Sequence, residues 1–184
     1  DCDRIGEVGS ALPALGVFLL GFGSNIQAGA TVLGVAQRAY NHHIQRLMVL
    51  GNLALLAGVD PWAMTTWMWH SFVDGAEWVM LPNVIGMSLH ADGGRMATKP
   101  YAAGGNYIDA MSDYCGDCRF DRKQRTGPDA CPYTTLYWDF LMRHEEMLRG
   151  NQRMALQVRN LDRVAEDDRA AIRAFALAVA CDIH

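Results

Sequence analysis

Between about Ala39 and Ala57 the apolar side chains fall at Ile44, Leu47, Met48, Leu50, Leu53, Leu55 and Leu56. That spacing suits one face of an α-helix and does not suit an alternating strand. Gly58 follows as a stop, because glycine enters the left-handed conformation that ends a helix without steric cost. Asp60-Pro61 then reopens the helical state: a carboxylate caps free amides, and proline gives up nothing at the first helical position. So punctuated, the segment predicts two consecutive helices, about 39–57 and 61–78, the second carrying Trp62, Trp67 and Trp69.

The same signals organise the remainder. Residues 81–105 hold two prolines and several glycines and read as loop with short turns. A short helix is expected over about 106–111, and a loop through the cysteine segment 114–132. One amphipathic helix is expected over 133–149, with Leu136, Phe140, Leu141, His144, Met147 and Leu148 on its inner face and Gly150-Asn151 ending it. A last helix runs from about Glu166 to Cys181. No run of alternating strand pattern and no internal repeat occurs, so the fold class is all-α. The first 37 residues are rich in Gly, Ala, Val and Leu, show little helical periodicity, and read as a poorly specified lead-in.

Composition limits what such a chain does. With 51% hydrophobic and 20% charged residues it is an ordinary globular sequence of a size that supports one core. A net charge of −4 argues against a wholly basic nucleic-acid surface, while leaving room for a local patch. No secretory leader pattern is visible. The uncharged stretch between Glu7 and Arg38 contains a strictly apolar run at 11–23, interrupted by Pro13, Gly16 and Gly21. A membrane span needs roughly 20 predominantly apolar residues, so this run reads as a buried or irregular segment. The expectation is a non-membrane, cytoplasmic protein, and because the chain opens on Asp1 it reads as a piece of a longer one.

Five cysteines occur: Cys2, Cys115, Cys118, Cys131 and Cys181. An odd, clustered set without a secretion signal reads as metal or cluster chemistry rather than a disulfide framework. Cys115-x-x-Cys118 lets two thiolates from one turn reach a common centre, and Cys131, followed by Pro132, returns a third. Zinc and iron–sulfur clusters both accept soft sulfur ligands and normally take four. His144 is a rival fourth ligand for zinc, although it also fits the apolar stripe of its helix. On spacing alone, zinc, an iron–sulfur cluster and uncommitted buried thiols all stay open.

Other residues carry weaker signals. His42 and His43 open a helix, where neighbours point about 100° apart. One suits a proton donor and the other an orienting group, or one lies on the surface and one in the core. Trp67 and Trp69 suit electron transfer, but from spacing alone the reading as large core residues wins. Arg119, Arg122, Lys123 and Arg125 form a basic run that suits phosphate contacts or simple solvation.

Several runs are not generic. They are Tyr40-Asn-His-His-Ile-Gln-Arg-Leu-Met-Val-Leu-Gly-Asn, Glu77-Trp-Val-Met-Leu-Pro-Asn-Val-Ile-Gly-Met, Ala91-Asp-Gly-Gly and Lys99-Pro-Tyr-Ala-Ala-Gly-Gly-Asn-Tyr-Ile. With them stand Met111-Ser-Asp-Tyr-Cys-Gly-Asp-Cys and Asp129-Ala-Cys-Pro-Tyr-Thr-Thr-Leu-Tyr-Trp-Asp-Phe. From about Val35 to Ala174 the chain closely resembles the prokaryotic iron–sulfur photolyases and cryptochromes. The resemblance implies the C-terminal part of a helical FAD-binding domain with a cysteine-bearing loop, over residues 35–184, after an atypical lead-in at 1–34. It implies FAD, a 4Fe–4S cluster, and light-driven repair of (6-4) photoproducts in UV-damaged DNA, with the lesion flipped out of the duplex. It further implies a monomer, with any antenna chromophore in an N-terminal domain ahead of this region.

By the same resemblance, His43 with His42 is the proton donor to the lesion and Tyr101 stands near it. Trp67 belongs to the flavin photoreduction chain, Asp74 and Asn83 contact the flavin, and Cys115, Cys118 and Cys131 are three of four cluster ligands. The fourth cysteine is expected where this sequence has Gln27. The position facing the flavin N5 is Met80, which cannot exchange a proton. Two alternative functions remain: a cryptochrome-like blue-light photoreceptor on the same scaffold, and a zinc-stapled helical binding module.

Overall fold

The computed structural model describes the backbone of residues 27–181 and the side chains of 31–179. Among the described residues the chain is helical, and the nearest approach to a strand is one isolated bridge between Asp121 and Ala130. Helix α1 is Gln27–Arg38. Helix α2 starts as His43–Gln45, widens to a π-helix over Arg46–Gly51 and returns to α over Asn52–Ala57. Helix α3 is Pro61–Ser71, and α4 joins Glu77–Met80 to a π-helical Leu81–Ser88. Then come α5 (Gly105–Met111), α6 (Pro132–Arg143) and α7 (Glu145–Arg149). A 3₁₀ turn, Gln152–Met154, leads into α8 (Ala155–Leu161), and α9 is Glu166–Cys181. None of these helices is long and apolar enough to cross a membrane. The apolar run at 11–23 and Cys2 lie outside the described residues.

The punctuation around residue 58 works as the sequence implies. Gly58 takes φ 75°, and the Asp60 carboxylate accepts the Ala63 amide at 2.8 Å. Elsewhere the boundaries move. Helix α2 begins at His43 rather than Ala39, because Ala39 adopts φ 49° and turns the chain. Helix α3 stops at Ser71 rather than reaching Trp78: Phe72 is extended, and Gly75 folds so closely back that a Cβ there would lie 2.7 Å from the Trp69 carbonyl. The expected loop at 81–105 opens instead with eight residues of π-helix. Pro82 has no amide to donate, which favours a wider ladder there, and the Asn83 side-chain amide donates to the Val79 carbonyl at 2.8 Å. Helix α1 occupies part of the expected lead-in, and α8 arises in a segment that carried no sequence assignment.

The single helix expected over 133–149 is divided at His144, whose φ is −111°. The His144 amide still donates to Phe140, and Leu148 still donates to His144. Both ladder bonds survive the break, which is why no Gly or Pro is needed to make it.

Helix α6 is the centre of the packing. Leu136, Phe140 and Leu141 are buried in one cluster with Leu53 and Leu56 of α2, Val158 and Leu161 of α8, and Ala176 of α9. Each fully buried leucine contributes roughly 2 kcal/mol, so these contacts dominate. A polar clasp sets their register. Asp139, 3% exposed, accepts Arg143 Nε at 2.7 Å and Arg173 Nη1 at 2.8 Å, while Arg143 Nη2 donates to the Leu56 carbonyl near the end of α2. One carboxylate thereby ties α2, α6 and α9 together.

Removing it leaves two cations facing each other with no anion between them. Asp139→Ala is expected to lower unfolding free energy by about 2–3 kcal/mol, at the low end for a broken buried pair because both arginines are partly solvated. Urea denaturation followed by far-UV circular dichroism measures this, and a loss below about 0.5 kcal/mol would remove the clasp from the account of stability.

Candidate functional site

The π-helical parts of α2 and α4 cross where one of them has no side chain. A Cβ on Gly51 would lie 1.8 Å from Ser88 Oγ, so the two backbones approach more closely than any other residue at 51 allows. Widened helical turns are frequent at functional sites, because the ladder rearranges around them and aims side chains off the regular spacing. Beside this crossing lies a cavity of about 290 Å³. Its polar lining is Tyr40, His43, Arg46, Asp74, Asn83 and Ser88, and Leu47, Met68, Met80, Val84 and Met87 are among its apolar walls.

Arg46 organises one side. Its guanidinium meets the Asp74 carboxylate twice, at 2.9 and 3.0 Å, and its Nε donates to the Asn41 carbonyl at 2.8 Å. The same group lies 4.0 Å over the Phe72 ring and 5.1 Å from that of Tyr40. A planar fork held by a carboxylate and an aromatic face has one orientation. Trp67 is buried behind this assembly, edge-on to Phe72 with ring centroids 6.2 Å apart, and does not line the cavity itself. On the opposite side, Ser88 Oγ is buried with no hydrogen-bond partner. It fills the space left by Gly51 between the two helices and does not open onto the cavity.

The histidines divide between two spaces, as adjacent residues at a helix start must. His43 faces the cavity just described, whereas His42 faces a neighbouring cavity of about 350 Å³ bounded by Gln45, Tyr107, Met111 and Tyr114. Their rings stay in contact, with centroids 4.3 Å apart and planes tilted by 37°. Tyr101 sits partly exposed on the α4–α5 loop, outside the lining of either cavity. Of the residues singled out from the sequence, His43, Asp74, Met80 and Asn83 therefore meet in one cavity. Trp67 is behind it, His42 is on its margin and Tyr101 is apart. Arg46 and Ser88 line the same cavity, although neither stood out in the sequence. Arg46 lies three residues after His43, which puts both on one helix face, and that spacing was the available signal; nothing marked Ser88.

The cysteine loop is ordered by its own contacts. Cys131 precedes α6, and the first α6 amides with the Thr134 side chain favour its thiolate. Burial outweighs them and pushes the thiol up from its ordinary value. Cys115 is raised as well, first by burial, then by Asp109 and by its neighbours Cys131 and Cys118. The three sulfurs thus stand within electrostatic reach of one another. No group of three His, Cys, Asp or Glu side chains among the described residues converges closely enough to hold a metal ion. The described residues thus offer three thiols, one short of the four ligands that a zinc or iron–sulfur centre normally takes. Gln27 and Cys181 are the end residues of α1 and α9, and neither they nor Cys2 has a described side chain.

His144 is not part of the cysteine loop: it stacks on Phe140 at 4.7 Å and lines a separate cleft with His90 and Arg143. The basic run is largely engaged internally. Arg122 pairs with Asp109 at 3.0 Å, Arg125 lies over Trp138 and Arg119 over Phe120.

Comparison with known proteins agrees with the geometry. No family model matches the chain. Over 142 residues it is 56% identical to a (6-4) photolyase of Agrobacterium fabrum, a match covering 77% of this chain and 28% of that protein. Over 109 residues it is 29% identical to an uncharacterized protein of Acanthamoeba polyphaga mimivirus, covering 59% of this chain and 81% of that one. A strand-free helical fold with a cavity beneath a histidine pair is consistent with the helical C-terminal domain of a photolyase. The chain belongs to the bacterial (6-4) photolyase-type family. It spans little more than a quarter of the length of the Agrobacterium enzyme.

His144 provides a test of the packing around the second cleft. Burial, then the charge of Arg143, holds its imidazole below the usual 6.5, with Asp139 opposing. The unfolded chain therefore binds the proton more readily, so this contribution to stability is complete above about pH 6.5 and declines as pH falls below it. Urea midpoints compared at pH 7.5 and pH 5.5 should fall for the wild type and fall less for His144→Gln; equal slopes would assign the pH dependence to other groups.

Proposed function

We propose that this chain supplies flavin- and lesion-facing helices to a light-driven, FAD-dependent protein that repairs (6-4) photoproducts in DNA. The observation that carries the reading is the single cavity into which His43, Arg46 with Asp74, Met80 and Asn83 all face. Its size and largely apolar walls suit part of a planar ring system, and Asp74 and Asn83 offer polar contacts at its edge. A bound FAD would supply the light-excited electron that such repair requires. The chain's own residues orient and enclose. Arg46 holds Asp74 and the Phe72 face in one arrangement, while Met68, Met80, Val84 and Met87 keep water from the ring face. His43 presents a ring nitrogen that carries a proton to or from a lesion at the rim.

The lesion reaches that rim only if the damaged nucleotide leaves the stack. The 56% identity to a protein named as a (6-4) photolyase supports this substrate over other lesions. No step is assigned to an iron–sulfur cluster, since the described residues supply three thiols and the expected fourth position, Gln27, has no described side chain.

Two measurements test the reading. Titration of the purified chain with FAD should give saturable quenching of flavin fluorescence, weakened at least tenfold in Arg46→Ala, or about 1.4 kcal/mol. Unchanged affinity in that variant would move the flavin site elsewhere. Blue-light treatment of an oligonucleotide bearing one (6-4) photoproduct, using the chain joined to the unmatched remainder of the Agrobacterium protein, should restore normal bases. His43→Ala should abolish the repair while flavin stays bound. Light-dependent flavin reduction without any repair would favour the photoreceptor alternative, and zinc without flavin would favour the stapled binding module.

A further inference from the structure

We propose that Gln45 is the positioning residue of the histidine pair, and that Tyr114 at the edge of the cysteine loop sets the orientation in which it works. The functional weight of the inference rests on the repair reading above, since that reading gives the pair its chemistry.

The first amides of a helix have no partner within it and need an acceptor from outside. At the start of α2 this acceptor is His42, an unusual choice beside Ser, Thr, Asp or Asn. His42 Nδ1 accepts the Ile44 amide at 3.3 Å. A ring nitrogen that accepts a hydrogen bond carries no proton, so the neutral ring holds its proton on Nε2. The cap therefore selects the tautomer of His42 as well as its direction.

An imidazole at a helix start keeps that direction only while its backbone is held. Gln45 holds it: its Oε1 accepts the His42 amide at 3.2 Å, closing the reciprocal half of a capping box. The opposite end of the same amide, Nε2, donates to the Tyr114 hydroxyl at 3.4 Å. Which end of a glutamine is oxygen is a matter of chemistry here. A backbone amide can only donate, so oxygen must face His42. The nitrogen then faces Tyr114, whose hydroxyl is able to accept. The hydroxyl does not choose the end, since it accepts and donates alike; it anchors the far end of the side chain, so that the oxygen stays beneath the His42 amide.

The His42 ring in turn packs against that of His43, which faces the cavity beside Arg46. Gln45 lies outside that cavity and acts through its neighbours. Tyr114 directly precedes Cys115, so a displacement of the cysteine loop reaches the histidines along Tyr114, Gln45 and His42.

The test needs neither flavin nor DNA, so its outcome is separate from that of the repair reading. In the 184-residue chain labelled with ¹⁵N and ¹³C, NMR reports the His42 ring nitrogens, the Ile44 amide and the cross-relaxation between the two rings. The wild type should show an unprotonated, hydrogen-bonded Nδ1 and clear ring-to-ring signals. Gln45→Ala should lose the ring-to-ring signals and move the Ile44 amide. Gln45→Glu should retain the wild-type pattern, because a carboxylate still accepts the His42 amide. Tyr114→Phe should lose part of the pattern, and Gln45→Glu added to Tyr114→Phe should restore it, since a charged carboxylate accepts the His42 amide more strongly and holds without the second anchor.

That restoration is what a merely space-filling glutamine cannot produce. Should Gln45→Ala not fold, the Tyr114→Phe variant with and without Gln45→Glu decides alone. A wild-type pattern in Gln45→Ala overturns the proposal. So does an unaltered Tyr114→Phe, or a Glu that fails to restore.

Discussion

Gly51 lets helices α2 and α4 touch backbone to backbone, and the organisation of the cavity follows from that approach. With the Ser88 hydroxyl occupying the space a side chain at 51 would fill, the two helices cross where both have widened turns. His43, Arg46 and Leu47 share one face of α2, Met80, Asn83 and Val84 share one face of α4, and both faces line the same cavity. The far half of α2 is held separately, packed on α6 and clasped through Leu56, Arg143 and Asp139. One helix therefore joins the hydrophobic centre of the molecule to the wall of its cavity, and the rigidity of the first is transmitted to the second.

Electrostatic features of the cavity are assigned by similar economy. Arg46 makes an ion pair, a bond to a main-chain carbonyl and a face contact with Phe72, leaving its guanidinium a single orientation. Asp74 alone is about half exposed, and an ion pair in that position would contribute little to stability. Its value lies in direction, because the pair fixes a charge distribution beside the apolar ring pocket. The histidines straddle the partition between two cavities, which separates a residue that faces the candidate flavin space from one that serves as a helix cap.

The cysteine loop stands apart from this arrangement. Burial, with the neighbouring sulfurs adding to it, favours the thiol forms of Cys115 and Cys131. The family resemblance led to the expectation of a cluster with four cysteine ligands, and the described residues supply three thiols. The loop is tied instead by Arg122 to Asp109, by Arg125 to Trp138, and by the Asp121 and Ala130 bridge.

Local chemistry was legible in the sequence wherever a residue's own covalent structure controls the backbone. Gly58, Asp60-Pro61, the short helix after Gly104 and the span of α9 are all of this kind, as is the all-α class. The residues of the candidate site were legible through motifs held in common with a family, which preserve spacing along the chain. Neither source reveals how a helix deforms while keeping its hydrogen bonds. The π-helical turn at 46–51 and the break at His144 leave the ladder intact, so no breaker residue announces them, and Pro82 at the start of 81–88 reads from sequence as a loop signal. Nor does either source reveal that Arg46 and Ser88 share a cavity with Asp74, or that Tyr101 stays out of it. Those relations depend on contacts between residues far apart in the chain, and only the packing of one helix on another establishes them.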